Sequence, residues 1–203
     1  MSKALITMYH GDHEAFRSLT SPALHHFALR HGYDIYEADV DPRHNAAWSK
    51  LPALTTAMQH SDVALWVDAD VLILDDSQDP AVHLSDETFL VILDDMRYGV
   101  CSALFALRSC PTSRRFVNEA WAMRCVGYPD WDQGAIHDLI AGDMRPEYAR
   151  GAKRLGHDWY GPEGCNPHGR ILHGCRQTAP TVAERAVRLR RRAERRGAVL
   201  PVG

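Results

Sequence analysis

The run from Val63 to Leu74, VALWVDADVLIL, is apolar and β-prone throughout, except for two carboxylates one residue apart, Asp68 and Asp70. Strands buried on both faces of a sheet read as continuous Val/Ile/Leu runs, so a central strand is expected here. An unpartnered carboxylate inside such a run is strongly unfavourable. The two aspartates are therefore expected where the strand emerges into a cleft, with a divalent cation as the natural partner. Hard cations such as Mg²⁺ or Mn²⁺ take oxygen ligands and bridge to phosphates. The alternative is a loop between two strands in which both aspartates are solvated.

The segments before this run alternate in character. Ala4–Tyr9 reads as a buried strand and Gly11-Asp12 as a turn. Glu14–His31 has helical spacing, with Phe16, Leu19, Ala23, Phe27 and Arg30 near one face, Pro22 as a kink or break, and Gly32 as the stop. Asp34–Ala38 alternates as a second strand. Trp48–His60 reads as a second helix with Leu51, Leu54, Thr55 and Met58 inward. The resulting β-α-β-α-β order implies a single α/β domain with a mostly parallel central sheet flanked by helices. Ligands in such sheets bind beyond the carboxyl ends of the strands, where Tyr9 and Asp68 both fall.

Downstream, Phe89–Leu93 and Ser102–Leu107 read as strands. Pro111 opens a helix carrying Phe116, Val117, Ala120, Trp121 and Cys125 on one face, and Asp130–Ile140 is a shorter helix. Gly151–Gly174 is rich in Gly, Pro and His and reads as loop, apart from Ile171–His173. From Thr181 a helix places Val182, Ala186, Leu189 and Ala193 in one apolar stripe against an Arg-rich face. Residues 1–178 are expected to form the globular domain and residues 179–203 a basic amphipathic helix or tail.

The chain of 203 residues carries a net charge of −3, which hides an asymmetry. Thr181–Arg196 holds seven arginines and two glutamates, +5 in all, which leaves −8 for the remainder. Such a split suits contact between residues 181–196 and a polyanion or membrane surface, or else a solvated helix face. No stretch approaches the roughly 18 apolar residues of a transmembrane segment. Met1-Ser2-Lys3 runs directly into a strand-like segment without the apolar core of a signal peptide, so a cytoplasmic location is expected. The five cysteines are then expected as reduced thiols.

Asn45–Asp76 resembles the metal-dependent GT-A glycosyltransferases, most of all the galactosyl- and mannosyltransferase branch of yeast and plant type with its small viral relatives. The resemblance rests on Trp48-Ser49-Lys50 opening a helix that leads into an apolar strand ending in Asp68-Ala69-Asp70. Three further segments follow in the expected order. They are Leu104–Arg108, Trp131-Asp132-Gln133 and Ile171-Leu172-His173-Gly174. One departure is Cys101-Ser102-Ala103, where that branch has an Asn-x-Gly-like element.

The resemblance implies transfer of a sugar, a hexose in particular, from a nucleotide-diphosphate donor, a UDP-sugar being favoured, to an acceptor hydroxyl. A divalent cation, Mn²⁺ or Mg²⁺, would stabilise the leaving diphosphate. It implies Asp68, Asp70 and His173 as metal ligands, with Asp68 shared between the metal and the donor ribose. Lys50 would lie near the donor phosphates, and Thr7 and Tyr9 near the nucleotide base. Asp132 and Gln133 would flank the anomeric carbon, Asp132 as base or as charge support, with Asp94 or Asp95 competing for the base. The acceptor class (glycan, lipid, small molecule or modified nucleic acid) stays open.

Three rival readings remain at this level. Nucleotidyl transfer also uses an acidic pair on a parallel sheet, yet Tyr9-His10-Gly11-Asp12 makes a poor phosphate loop. A non-catalytic nucleic-acid or membrane-binding module would act through the Arg-rich tail. His157, Cys165, His168, His173 and Cys175 offer zinc ligands, in spacings that match no familiar zinc motif.

Overall fold

A computed structural model describes residues 1–95, 99–124, 131–141, 145–156, 158–159, 169–174 and 181–198. Its strands are β1 (Lys3–Thr7), β2 (Asp34–Glu37), β3 (Val63–Val67), β4 (Val71–Ile73), β5 (Leu90–Asp95), β6 (Gly99–Arg108), β7 (Ala152–Leu155) and β8 (Ile171–His173). The helices are α1 (Arg17–His31), α2 (Lys50–His60), α3 (Pro111–Met123), α4 (Trp131–Ala141), α5 (Pro146–Arg150) and α6 (Val182–Arg195).

Six strands form one sheet in the order β2-β1-β3-β6-β5-β7. β1 runs parallel to β2 and β3, and β5 parallel to β7, while β6 is antiparallel to both β3 and β5. The architecture is thus the expected mixed α/β one, a mostly parallel sheet with helices on its faces. The reversed strand β6 matters for the site, because it brings Cys101 and Ser102 back beside the end of β3.

The period-2 alternation of the strands supplies two cores. Ala4, Ile6, Ala64, Trp66, Ile92 and Phe105 face α2, α3 and α4. Leu5, Leu65, Val67, Val91 and Leu104 face α1 and the small sheet made by β4 and β8. A third cluster joins Phe16, Leu19, Leu72 and Leu172 to Leu189 and Ala193 of α6, so the Arg-rich helix lies against the globular body.

Three details differ from the sequence reading. A 3-10 turn over Gly11–Phe16 precedes α1, which begins at Arg17. Because that turn has about three residues per turn instead of 3.6, the inward face rotates. Leu24 and Ala28 are buried in place of Ala23 and Arg30, and Arg30 instead reaches Asp76 at 3.0 Å. α1 runs unbroken through Pro22 and stops at Gly32, whose φ of 70° is left-handed. Finally, α5 and β7 occupy part of the stretch expected as loop. Lys153 and Arg154 are exposed on an edge strand, which erases the apolar signal.

Candidate active site

Asp68 and Asp70 sit in the tight turn between β3 and β4, closed by Val71 N–H donating to the Asp68 carbonyl at 3.0 Å. Asp68 N–H continues the sheet by donating to Ala103 O at 2.8 Å. Thr20 Oγ1 fixes the turn from α1 by donating to Ala69 O at 2.9 Å. Two positions beyond Trp66, Asp68 accepts on Oδ1 from the Trp66 indole N–H and from Lys50 Nζ, the latter at 3.2 Å.

β8 delivers the third group. His173 pairs in register with Val71, which puts its Nε2 3.4 Å from Asp70 Oδ1. Gly174 N–H donates to the Asp70 carbonyl at 2.8 Å. A Cβ on Gly174 would lie 3.3 Å from Asp70 Cβ and 3.1 Å from Phe16 Cε1, so this approach depends on the missing side chain. One ligand atom each of Asp68, Asp70 and His173 falls within 4.8 Å of the others. Two carboxylates and an imidazole are a donor set that suits Mn²⁺ or Mg²⁺, so these residues fit a divalent cation.

Beside the triad lies a buried polar knot. Lys50 Nζ is 2.9 Å from Asp132 Oδ2 as well as 3.2 Å from Asp68 Oδ1, and it donates to Ser102 O at 3.2 Å. Ser102 Oγ donates to Asp132 Oδ2 at 2.8 Å, and Ser102 N–H to Gln133 Oε1 at 3.3 Å. Trp131, at the head of α4, takes a left-handed φ of 50°, a costly conformation for a bulky residue and one often found beside functional groups.

No family model matches the chain. Over 152 residues it is 29% identical to a probable glycosyltransferase 6 of Oryza sativa subsp. japonica, a match covering 68% of this chain and 31% of that protein. A putative glycosyltransferase 7 of Arabidopsis thaliana is 28% identical over 138 residues, 61% of this chain and 30% of the relative. The chain therefore spans about a third of the length of the curated relatives it matches. Among solved structures, a glycosyltransferase involved in the glycosylation of the major capsid of PBCV-1 matches with a TM-score of 0.72 at 11% identity, covering 94% of this chain and all of that one. The bifunctional glycosyltransferase WbbM matches with a TM-score of 0.56 at 12% identity, over 78% of this chain and 39% of that one. The chain has a GT-A-like glycosyltransferase fold.

Within that fold, the residues singled out in the sequence fall into two groups. Asp68, Asp70, His173, Lys50, Asp132 and Gln133 converge at the end of β3. Thr7 and Tyr9 lie at the end of β1. The Thr7 hydroxyl is buried, and no described residue bonds to it. Tyr9 bonds Thr20 at 3.0 Å, and the Arg17 guanidinium lies over its ring at 4.3 Å. Lys50 is 3% exposed and turned onto two carboxylates, so its charge is held inside the protein and does not face open solvent. Asp94 is engaged at the sheet edge by Arg154, at 3.5 Å. His157, Cys165, His168 and Cys175, the other members of the zinc reading, lie outside the described residues, as do Cys125 and Asp130.

Sequence reasoning missed Trp66, Ser102 and Arg185 as members of this neighbourhood. Trp66 reads as core and Ser102 as an ordinary strand residue. Arg185 is one arginine among seven.

Electrostatics set the two aspartates of the turn apart. Burial, aided by Asp70 and Asp132, outweighs Lys50 and lifts the Asp68 carboxyl above its usual range. Burial also pushes Asp70 up, yet the charge and hydrogen bond of His173, with His13 and Arg185, overcome it and hold the carboxyl at about 2. Burial pushes His173 down, but Asp70, with Cys101, raises it well above 6.5. Without a cation between them, the Asp70–His173 pair has a pH window. The Asp70 contribution is present above the ordinary value of 3.8 and is lost as the pH falls towards 2. The His173 contribution is present below 6.5 and is lost as the pH rises through its raised value. In chelator, the melting temperature should therefore fall on both sides of this range, and the Asp70→Asn variant should flatten both limbs. Limbs of equal depth in that variant would refute the assignment.

Proposed function

We propose that the protein is a glycosyltransferase that moves a hexose from a nucleotide-diphosphate donor, a UDP-sugar by preference, to an acceptor hydroxyl. The observation that carries this reading is the meeting of Asp68, Asp70 and His173 in a glycosyltransferase fold. Asp68, Asp70 and His173 would hold a divalent cation, Mn²⁺ or Mg²⁺, which when bound neutralises charge on the leaving diphosphate.

The chain's own residues do the rest. Lys50 holds Asp68 and Asp132 side by side, and the Trp66 indole fixes the Asp68 carboxylate so that it can also reach the donor ribose. Lys50 thus serves the phosphates through Asp68. Thr7 and Tyr9 border the nucleotide base, with the half-buried Tyr9 ring as the stacking face and Thr7 behind it. Asp132 and Gln133 flank the anomeric carbon. Because Lys50 and Ser102 both engage Asp132 Oδ2, support of developing positive charge suits Asp132 better than unpaired base catalysis.

Residues 1–178 form the catalytic domain in this reading, and the helix within 179–203 packs on it. No helix among the described residues is long and apolar enough to cross a membrane. A cytoplasmic setting belongs to the same proposal, in keeping with the free thiols of Cys101 and Cys110. The exposed Arg188, Arg191 and Arg195 on α6 favour an anionic acceptor or surface as partner.

Incubation of the full chain with a panel of UDP- and GDP-sugars and Mn²⁺ tests the reading. Donor cleavage that stops in chelator is expected, with nucleoside triphosphates left intact. Cleavage of triphosphates alone would move the protein to nucleotidyl transfer, and undiminished sugar release in chelator would exclude the metal.

A further inference from the structure

The apolar stripe read from the sequence of α6 needs one amendment. The residues that α6 buries are Arg185, Leu189 and Ala193, so a guanidinium shares the inward face with the two apolar anchors. Arg185 is 7% exposed at its side chain, with Nη1 3.8 Å from Asp70 Oδ2 and donating to Gly174 O at 3.3 Å. Its guanidinium carbon lies 5.9 Å from the Phe16 ring centroid. A buried arginine is strongly unfavourable without a charge partner, and among the described residues its ion-pair partner is Asp70.

The register of this contact is fixed from outside the site. Thr181 and Glu184 form a reciprocal capping box, with Glu184 N–H donating to Thr181 Oγ1 at 3.2 Å and Thr181 N–H to Glu184 Oε2 at 3.1 Å. Arg185 is the next residue, and its own N–H donates to Thr181 O at 3.0 Å. The cap sets the angle at which α6 starts, Leu189 and Ala193 seat it, and Arg185 is thereby directed at Asp70.

We propose that Arg185 is a positioning residue for the cation site, so that the C-terminal helix is part of the catalytic centre and not only a basic appendage. Its two contacts bracket the site. One sets the guanidinium charge 3.8 Å from Asp70 Oδ2 and the other binds the carbonyl of Gly174, whose N–H already binds the Asp70 backbone. Arg185 therefore ties β4, β8 and α6 together around the Asp70 carboxylate, leaving Oδ1 turned to His173. Groups that orient a ligating carboxylate commonly change metal affinity 10- to 100-fold when removed.

This inference rests on the metal reading of the site, and the test separates the two. Mn²⁺ alone is titrated into the full chain, with free Mn²⁺ followed by electron paramagnetic resonance and the melting temperature recorded in parallel. Wild type is expected to bind, Arg185→Met to bind about 10- to 100-fold more weakly, and Arg185→Lys to recover part of the loss. Leu189→Ala loosens the helix seat without touching Asp70. It is expected to lower the melting temperature while costing less Mn²⁺ affinity than Arg185→Met. Should Arg185→Met not fold, Arg185→Gln keeps a donor for Gly174 O and is judged by the same criterion. Unchanged or tighter Mn²⁺ binding in the folded variant would overturn the inference alone, as would an equal loss in Leu189→Ala. A wild-type chain that binds no Mn²⁺ would remove the metal reading and this inference with it.

Discussion

Asp70→Asn is expected to abolish cation-dependent turnover while the fold stands. Asparagine has nearly the same shape, so the turn between β3 and β4 and the Gly174 contact to its backbone carbonyl are kept. The amide no longer supplies the charge that holds His173 protonated, and the imidazole relaxes to its neutral form. Arg185 retains Gly174 O as an acceptor but loses its ion-pair partner, so a lower melting temperature is expected of a variant that still folds. Beside that structural cost stands the loss of an anionic ligand. Removing an outer-shell partner commonly costs 10- to 100-fold in metal affinity or activity, so a directly ligating carboxylate should cost more than about 100-fold. Initial rates of donor cleavage across a Mn²⁺ titration, with melting curves beside them, provide the measurement. If the variant turns over at the wild-type rate, Asp70 holds no cation.

The acidic break in the Val63–Leu74 run was legible because burial makes unpartnered carboxylates costly, and the chain had to resolve that cost somewhere. The β-α-β-α-β rhythm followed from patterns within short windows, while the approach of His173 to Asp70 was implied only by the resemblance of Ile171–Gly174 to a late segment of the family. What stayed hidden depends on contacts far apart in sequence. The Lys50–Asp132 pair spans two helices separated in the chain by four strands and α3, and nothing local in Trp48–His60 shows that this lysine is enclosed. Arg185 carries the same local signal as the other arginines of its helix, and only the docking of Leu189 and Ala193 turns it inward. β7 was invisible for the opposite reason, since an exposed edge strand needs little apolar sequence. Resemblance placed Lys50 near the donor phosphates, and only packing shows that two carboxylates also hold it.

That enclosure makes Lys50→Met the substitution with the largest expected effect on stability. The ammonium is 3% exposed, with Asp132 at 2.9 Å and Asp68 at 3.2 Å. Methionine fills much the same volume and keeps the contact with Trp66, over whose ring the ammonium now lies at 5.5 Å. The cost is therefore electrostatic. Two carboxylates lose the cation between them, and Asp132, 4% exposed at its side chain, keeps the Ser102 hydroxyl but not its counter-charge. Breaking a buried pair by removing one partner costs about 3–5 kcal/mol, a large part of the roughly 5–15 kcal/mol that holds a typical domain. Neutralising the stranded partner should reverse much of it. Lys50→Met with Asp132→Asn is expected to be more stable than Lys50→Met alone, because adjacent groups do not act additively. Urea denaturation of the two single variants and the double variant closes the cycle. A coupling near zero would mean that the ammonium and the Asp132 carboxylate are separately solvated. A strong coupling would mean that the knot behind Asp68 acts as one unit, so that any substitution at Lys50 reports on the Asp68 carboxylate it supports.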